Sequence, residues 1–461
     1  MAVCVPYRSH DGTPFGADDV KFTIDRAFGD NPSLTRTSWG PITDVTVVDE
    51  AVLVCHPTWR PRLLRRDASG VWSSDWLTFT AFNADDEDAR VAMPFARFAP
   101  SDITLQAKPI SGEGDPTESR SVEFDLVSSK PIFDSNLASG TIFRLKGRQI
   151  QLTGVDLSAS GMLAYAETLE PLVDTLATTD WDEQAFSDLH GWPIAAAMHQ
   201  NRLVLGGCRD RADAIWFSKS GRPFDFDLAD GLDDAAIAFR IGAERHHAIR
   251  QMFSGRVLQV FTTAGEWTIG GFPLTPGNAR VELQTRVGSL ADRQVAPVDV
   301  DGATLFIGAT GRDLREFLFT ETEQAYQAAD IAVLSRHLMR EPVDMAFDQT
   351  RRVFWIVRAD GRACAVTIDR NSNIVAWTLQ ETRGSIQETH DSIKALCIHA
   401  GAVHLLVERA TGLAVERVED GLLVDAHRRL TRSEPTTDWD GLEALVGERW
   451  VVEADGSSLG E

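Results

Sequence analysis

The stretch Arg352-Val-Phe-Trp-Ile-Val-Arg-Ala-Asp-Gly-Arg-Ala-Cys-Ala-Val-Thr-Ile-Asp369 decides the fold of this 461-residue chain. Two runs rich in β-branched residues flank the dipeptide Asp360-Gly361, and Asp-Gly between such runs is the strongest short-range signal for a β-hairpin. Strand side chains alternate between two faces, so the hairpin has two predicted layers. We expect one layer to bury Val353, Trp355 and Val357, and the adjacent layer to contain Phe354 and Ile356.

The same plan recurs along the chain. Three further strand pairs are predicted, namely 402–408 with 413–418, 304–307 with 314–319, and 202–205 with 214–218. Antiparallel units that recur about every 40 to 50 residues are typical of propeller blades, which cannot bury both faces without neighbours. We therefore predict a β-propeller over residues 191–430, with a β-sandwich as the alternative.

The rest of the chain gives three smaller units. Alternating runs at 77–82, 121–127 and 142–153 predict a β-rich accessory domain over residues 55–190. We expect residues 431–461 to form a truncated C-terminal β segment.

Residues 1–54 have a different character, with an amphipathic helix predicted at 17–28 and a hairpin made of 44–49 and 51–54. The predicted fold class is therefore mainly β: a β-propeller with an additional small β domain and a short α+β N-terminal segment.

Composition and charge exclude several classes of function. The chain is 43% hydrophobic and 25% charged, with no apolar run long enough to span a membrane. The chain has 45 Lys and Arg residues against 68 Asp and Glu residues. The resulting net charge of −23 opposes tight binding to the phosphates of nucleic acid. A sequence-reading DNA-binding protein is thus disfavoured. The first residues lack a basic segment followed by an apolar core, which predicts no secretory signal and a cytoplasmic site of synthesis.

The five cysteines are odd in number, scattered and never spaced C-x-x-C. This pattern argues against a disulfide framework and against a zinc site. We expect all of them to be small buried hydrophobic residues: Cys4, Cys55, Cys208, Cys364 and Cys397.

No common catalytic motif is present. The sequence contains no phosphate-binding P-loop, no H-E-x-x-H zinc helix, no G-x-S-x-G nucleophile elbow and no dinucleotide-binding G-x-G-x-x-G after a strand. A glycoside hydrolase remains open as an alternative, since it needs only two carboxylates that meet in the fold. We predict no catalytic, cofactor-binding or metal-binding residue, and no cofactor.

Two polar clusters contain residue types that bind metal ions. The acidic run Asp227-Leu-Ala-Asp-Gly-Leu-Asp-Asp234 lacks the spacing of a calcium-binding loop, which favours a solvated turn. The residues Glu244-Arg-His-His247 place two histidines next to each other, where they point in different directions and cannot easily share one ion.

Four tryptophans, Trp216, Trp267, Trp355 and Trp377, lie in or beside predicted strands. A large ring that fills the gap between stacked sheets is the ordinary explanation for this pattern. A platform on which sugars stack is the alternative.

Residues 10–50 resemble a short internal piece of a periplasmic oligopeptide-binding protein. The resemblance is carried by Asp11-Gly-Thr-Pro-Phe-Gly-Ala-Asp-Asp-Val-Lys-Phe-Thr-Ile-Asp-Arg-Ala27 and Trp39-Gly-Pro-Ile-Thr-Asp-Val-Thr-Val-Val-Asp49. It implies an extracytoplasmic solute-binding module. Such modules bind peptides between two lobes, and this segment matches a fragment of one lobe, so we expect it not to bind peptide.

Residues 55–461 resemble the tail nozzle proteins of short-tailed phages, also called tail tubular protein B. The matching stretches, in order, are His56-Pro-Thr-Trp-Arg-Pro-Arg-Leu-Leu-Arg65, Gly191-Trp-Pro-Ile-Ala-Ala-Ala-Met-His199, Asn201-Arg-Leu-Val-Leu-Gly-Gly207, Ile215-Trp-Phe-Ser218, Phe224-Asp-Phe226, Gly255-Arg-Val-Leu-Gln-Val-Phe-Thr-Thr-Ala-Gly-Glu-Trp267, Gln324-Ala-Tyr-Gln-Ala-Ala-Asp330 and Val375-Ala-Trp377.

The nozzle resemblance implies a structural, non-enzymatic protein of a phage or prophage tail. Its implied partners are five further copies in a ring of six, the portal and adaptor proteins, and tail fibre or needle proteins. Double-stranded DNA would pass through the ring without specific recognition during ejection, no membrane is involved, and the protein would reside in the virion. An acidic wall suits such a conduit, because it does not hold the phosphates.

Overall fold

A computed structural model describes residues 44–418, except 49–50, 70, 80–89, 136, 138, 229–230, 243–246, 321–324, 370–371, 373, 382–391, 400 and 410–411, together with 452–454 and 457–460. The helix predicted at 17–28 lies outside the described residues, as does most of the C-terminal segment 431–461, of which two short paired strands are described. No helix in the described part of the chain is long and apolar enough to cross a membrane.

The described residues contain six antiparallel sheets that form the blades of a β-propeller. Within each blade the strands pair in chain order. The first blade contains β1 (Asp44–Val48), β2 (Ala51–His56), β3 (Trp59–Arg66) and β4 (Trp72–Trp76). The fold class predicted from the sequence, a mainly β chain with a propeller, is confirmed.

A seven-stranded sheet is inserted between the first and second blades. Its strands are β5 (Phe95–Ala96), β6 (Leu105–Pro109), β7 (Glu123–Ser128), β8 (Ile142–Leu145), β9 (Arg148–Asp156), β10 (Leu163–Thr168) and β11 (Trp181–Gln184). They lie in the order β5-β11-β8-β9-β10-β7-β6, and a short 3₁₀ turn, Leu157–Ala159, follows β9. This sheet has its own core, which includes Phe124, Leu126, Phe143 and Ile150.

The remaining five blades follow without interruption. The second contains β12 (Ala195–His199), β13 (Arg202–Gly206), β14 (Ala214–Phe217) and β15 (Ile237–Arg240), and the third contains β16 (Ile249–Ser254), β17 (Leu258–Thr262), β18 (Gly265–Gly270) and β19 (Arg280–Thr285). The fourth contains β20 (Val298–Val300), β21 (Ala303–Ile307), β22 (Leu314–Thr320) and β23 (Ala325–Asp330), and the fifth β24 (Pro342–Asp348), β25 (Val353–Arg358), β26 (Ala363–Asp369) and β27 (Ile374–Gln380). The sixth has β28 (Ser392–His399), β29 (Ala402–Arg409) and β30 (Gly412–Arg417), and the chain ends on the pair β31 (Val452–Ala454) and β32 (Ser457–Gly460).

Each pair of successive blades shares an apolar cluster. One cluster joins the first blade, the inserted sheet and the second blade, and another joins the second and third blades. Three phenylalanines, Phe261, Phe306 and Phe317, join the third and fourth blades. Two further clusters join the fourth blade to the fifth and the fifth to the sixth. Burial between blades, rather than within one, therefore stabilises the propeller.

The hairpin at Asp360-Gly361 shows this two-sided burial directly. Phe354 and Ile356 belong to the cluster shared with the fourth blade, whereas Trp355 and Val357 belong to the cluster shared with the sixth. The predicted alternation across the two layers is confirmed, and so are the three other predicted strand pairs.

A repeated carboxylate contact links the first strands of neighbouring blades. Asp44 at the start of β1 accepts hydrogen bonds from its neighbour Val45 and, across the blade boundary, from the backbone N–H of Ala196 in β12 at 2.9 Å. Asp344 in β24 does the same with Met345 and with the N–H of Leu396 in β28, at 3.0 Å. Burial raises the pKa of Asp44 to about 7 and that of Asp344 to about 6, against the opposing effect of the backbone N–H groups.

Local predictions differ from the structure in the region before the second blade. The boundary predicted at 54/55 falls inside β2, which pairs with β1 on one side and with β3 on the other. The alternating run 142–153 is a hairpin, since Lys146 and Gly147 both have positive φ and turn the chain between β8 and β9. Of the strand predicted at 77–82, residues 77–79 follow β4 without strand pairing, and the others lie outside the described residues.

Candidate functional site

A groove of about 430 Å³ lies between the third and fourth blades. The third blade contributes the turn between β16 and β17, the end of β18, the loop that follows it, and the outer strand β19. The fourth blade contributes one end of β22 and the outer strand β23. The groove is open to solvent, and its lining combines aromatic rings with two arginines and a glutamate.

One wall of the groove is a fixed group of aromatic rings. Tyr326 stacks on Phe317 at 4.6 Å between ring centroids, and Phe319 packs edge-on against Tyr326 at 5.4 Å. Phe317 is fully buried, in the phenylalanine cluster between the two blades. The wall is therefore anchored in the core and does not depend on a mobile loop.

Gln284 holds the two blades together at the base of this wall. Its side-chain oxygen accepts a hydrogen bond from the backbone N–H of Tyr326 at 3.1 Å. Its amide group donates to the hydroxyl of Thr268 at 2.9 Å. The outer strands β19 and β23 contact each other here, so the groove width is set by a direct link between the blades.

The opposite rim carries an exposed aromatic side chain on a loop that is hydrogen-bonded to the second blade. Phe272 is 92% exposed. The loop is tied to the second blade through Gln200, which donates to the carbonyl of Gly271 at 2.8 Å and accepts from the N–H of Leu274 at 2.8 Å. Gly271 has φ +144, and a Cβ there would lie 2.8 Å from the side-chain oxygen of Asn278, so only glycine fits.

Two guanidinium groups give the groove local positive charge. Arg256 lies over the ring of Phe319, with 5.5 Å from Cζ to the ring centroid. Arg280 begins β19 and is exposed. Neither arginine forms an ion pair with a carboxylate of the described residues, and Glu282 is the acidic residue in the lining. This arrangement can bind an anion next to an apolar side chain.

Glu266 lies on the same blade but is not part of the groove. It is fully buried, and burial raises its pKa to about 7, although the hydroxyl of Thr285 and the N–H of Val287 donate to its Oε2. Its other oxygen, Oε1, has no hydrogen-bond partner among the described residues. A carboxyl group without solvent access cannot exchange protons with a ligand in the groove.

A second polar cluster lies where the inserted sheet meets the second blade. His190 contacts Glu183 of β11 through Nε2 at 3.2 Å and Asp210, in the loop after β13, through Nδ1 at 3.0 Å. Its ring stacks on Phe98 at 3.6 Å. Burial, the largest single effect, lowers the pKa of His190, but the two carboxylates together outweigh it and the pKa is raised. The His190 side chain thus bridges two modules.

The two polar clusters named from the sequence are described only in part. In the run 227–234, Asp233 and Asp234 are exposed turn residues, while 229 and 230 lie outside the described part. His247 is buried, and its Nδ1 contacts the hydroxyl of Thr262 at 2.8 Å and the indole N–H of Trp267 at 3.1 Å. Residues 244–246 are not described. No group of three or more potential metal ligands occurs among the described side chains.

The four tryptophans all lie in strands and pack in the core. Trp216, Trp267 and Trp355 are buried, each in a cluster between blades, and Trp377 packs against the cluster of the fourth and fifth blades. Packing therefore accounts for them, and they present no exposed platform to a sugar.

The cysteines follow the expectation only in part. Cys55, Cys208 and Cys364 are free and buried, and burial raises the pKa of each thiol. Cys397 in β28 is half-buried and disulfide-bonded, so the expectation of a small buried hydrophobic residue without a disulfide is wrong at this position. Cys4 lies outside the described residues.

Comparisons with known proteins do not assign the chain to a family. No family model matches the chain, and no curated protein matches it. The Pan2 WD40 domain of Neurospora crassa is similar to it at 8% identity and a TM-score of 0.32, over 82% of this chain and 88% of that one. A protein assigned as a 6-phosphogluconolactonase from Bacteroides uniformis has 10% identity and a TM-score of 0.32, over 68% and 94%. Raptor from Chaetomium thermophilum is similar at 14% identity and a TM-score of 0.31. The match covers 47% of this chain and 19% of Raptor.

Proposed function

We propose that this chain is a non-enzymatic scaffold protein, a ring-forming component of a short-tailed phage or prophage tail through which DNA passes. In this role its partners are copies of itself and the portal, adaptor and fibre or needle proteins of the tail. The proposal rests on the β-propeller fold and on the resemblance of residues 55–461 to tail nozzle proteins, whose matching stretches occur in the same order.

The observation that carries the proposal is where the resembling residues lie. Trp192, Trp216 and Phe226 pack into the one cluster that joins the first blade, the inserted sheet and the second blade. Arg202, only 1% exposed, donates to the carbonyls of Ser218 and Ala235 in its own blade at 2.7 Å each. It also donates to the carbonyl of Leu274 in the third blade at 3.2 Å, so it links the two blades. Motif residues that build module junctions support a scaffold role, whereas catalytic motif residues would converge on a cleft.

The groove chemistry is compatible with this role. Its polar groups are guanidinium, amide, hydroxyl and carboxylate groups, and none of the lining residues is a histidine, cysteine or lysine that could act with a neighbour as base and nucleophile. Such a lining suits recognition of a partner surface.

The test is the mass and shape of the purified protein. At physiological ionic strength, native mass spectrometry should detect six copies of 50.7 kDa, about 304 kDa in total, and negative-stain electron microscopy should show closed rings. A variant that loosens a module junction, Arg202→Ala, should lose the rings, whereas Arg312→Ala on an exposed loop should keep them. A chain that stays monomeric at all concentrations with an added adaptor ring would contradict the proposal.

The disulfide at Cys397 favours a second candidate function, an extracytoplasmic binding module. Disulfides persist in oxidising compartments and are rare in the cytosol. Alkylation of the protein taken directly from cells, followed by mass measurement, separates the two cases. An oxidised Cys397 in cells favours the extracytoplasmic module, and a reduced one favours assembly in the cytoplasm.

A further inference from the structure

We propose that the groove between the third and fourth blades is a docking site for a short acidic segment of a partner protein, one that carries an aromatic or branched apolar side chain between its carboxylates. This inference is independent of the tail role, since it concerns a binding site on one copy of the chain.

Charge complementarity points to an acidic occupant. The chain carries −23 overall, yet Arg256 and Arg280 lie at this groove without an ion pair to any described carboxylate. Other exposed arginines on the described surface do form ion pairs, as Arg240 does with Asp213 at 2.8 Å. Two arginines left unpaired at one groove can each receive a partner carboxylate through charge-assisted hydrogen bonds.

The apolar part of the site points to a peptide rather than to a bare anion. Phe272, at 92% exposure, is fixed on a loop that the second blade holds through Gln200. Phe319 and Tyr326 face the groove from the other side. Because the backbone on both sides of this side chain is already held, binding costs little further backbone ordering, which favours a protein-interaction site. An apolar side chain can insert between these rings while its neighbouring carboxylates bind the arginines.

Duplex DNA is the less favoured occupant of the groove. Its phosphates would meet two guanidiniums but also Glu282 and the field of a protein with net charge −23. A duplex backbone also offers no apolar side chain to contact Phe272. A peptide can place its carboxylates next to the arginines and away from Glu282.

The probe is a fluorescein-labelled, end-capped peptide of sequence Glu-Glu-Phe-Asp-Leu-Glu, titrated with the full chain and followed by fluorescence anisotropy at low salt. Controls are the same peptide with Lys for every acidic residue, the same peptide with Ser for Phe and Leu, and a labelled DNA duplex. We expect saturable binding of the acidic peptide alone, weakened about tenfold by each of Arg256→Ala, Arg280→Ala and Phe272→Ser, a change of about 1.4 kcal/mol.

Two further variants separate recognition from damage to the fold. Glu282→Gln removes a like charge from the lining and should tighten binding about two- to threefold, a gain that misfolding cannot produce. Arg312→Ala, an exposed arginine at the far end of the fourth blade, should leave the affinity unchanged. Thermal unfolding of each variant should match the wild-type chain, since the substituted side chains are exposed.

Several results would overturn the proposal. These are the absence of saturable binding, equal binding of the basic or serine peptide, or affinities that the groove variants do not change. Tighter binding of duplex DNA that the same arginine variants abolish would assign the groove to nucleic acid. Self-association in sedimentation velocity that Arg256→Ala abolishes, without peptide binding, would assign it to a second copy. The oligomer mass tests the tail role separately, so failure of one proposal does not decide the other.

Discussion

Trp355 packs between the fifth and sixth blades, where it is 8% exposed and shares a cluster with Val357, Ile393 and Val407. Its indole Nε1 has no hydrogen-bond partner among the described residues. The ring therefore contributes by apolar burial alone. Its position was predictable because alternation along β25 is a local property, whereas the missing partner of Nε1 depends on the neighbouring blade.

We expect Trp355→Ala to lower the free energy of unfolding by about 3 to 5 kcal/mol, because truncation removes buried surface and leaves a cavity. Trp355→Phe should cost less than the alanine change, because it keeps most of the apolar volume and removes an unpaired donor. Urea unfolding measures both, with Leu334→Ala, at a residue 92% exposed, as the control expected to stay within about 0.5 kcal/mol. Equal stability of the alanine variant and the wild-type chain would contradict the burial of Trp355.

Asp44 allows a prediction about pH. Burial raises its pKa from the ordinary 3.8 to about 7 in the folded chain, so the folded state holds the proton more tightly than the unfolded state does. Its contribution to stability is therefore fully present below about pH 4 and is lost as the pH rises through about 7. The size of this loss is about 4 kcal/mol, because the pKa shift is about 3 units and each unit is worth about 1.4 kcal/mol.

The measurement compares wild type with Asp44→Asn across pH 4 to 8, so that other titrating groups cancel. The wild-type chain should lose stability relative to this variant as the pH rises. Asp102→Asn is the matched control, since the hydrogen bond and charge of Lys130 lower the pKa of exposed Asp102 below 3.8, so its effect on stability changes below about pH 4 and the difference should stay nearly flat across this range. A flat difference for Asp44→Asn would show that its carboxyl titrates normally.

At the scale of the element, turns explain which predictions succeed. Asp360-Gly361 is a turn signal placed between two apolar runs, and its hairpin follows from these residues alone. Lys146-Gly147 lies inside a run in which apolar and polar residues alternate on both sides of the turn. A search for alternation therefore predicts one continuous strand there and misses the turn. The two halves of the groove, Arg256 and Tyr326, lie on different blades and meet only through packing between blades, so no local pattern identifies them.

Gly361 provides a test at this scale. It has φ +84, and a Cβ there would lie 2.4 Å from the Cβ of Ser392 at the start of β28. We expect Gly361→Ala to lower the free energy of unfolding by about 1 to 3 kcal/mol, through backbone strain and a clash with the sixth blade. Gly147→Ala, also at positive φ but with open space around it, should cost only the strain. Equal effects of the two changes in urea unfolding would exclude the contact with Ser392.

At the scale of the whole molecule, the period of the sequence predicts that blades are present, but it does not predict that an inserted sheet separates the first blade from the others. The hairpins repeat with a recognisable spacing from Gly191 onward, so five of the blades fall within the predicted region 191–430. The first blade is separated from the second by the seven-stranded sheet, which breaks the period. Its link to the second blade, from Asp44 to Ala196, spans 152 residues, a distance over which sequence patterns carry no signal.

The last prediction concerns the effect of salt on assembly. In the proposed ring, six copies of a chain with net charge −23 carry −138 in total, and this repulsion opposes ring closure at low ionic strength. Salt screens charges over about 8 to 10 Å at physiological concentration, so we expect weak association in dilute buffer and increasing association with added salt, as sedimentation velocity would measure. Sodium chloride and sodium sulfate at equal ionic strength should act alike if screening is the cause, whereas a stronger effect of sulfate would indicate hydrophobic association. A twofold dimer that salt does not change would contradict the ring, because a closed ring of identical subunits repeats one head-to-tail interface and a twofold dimer uses the same patch on both copies.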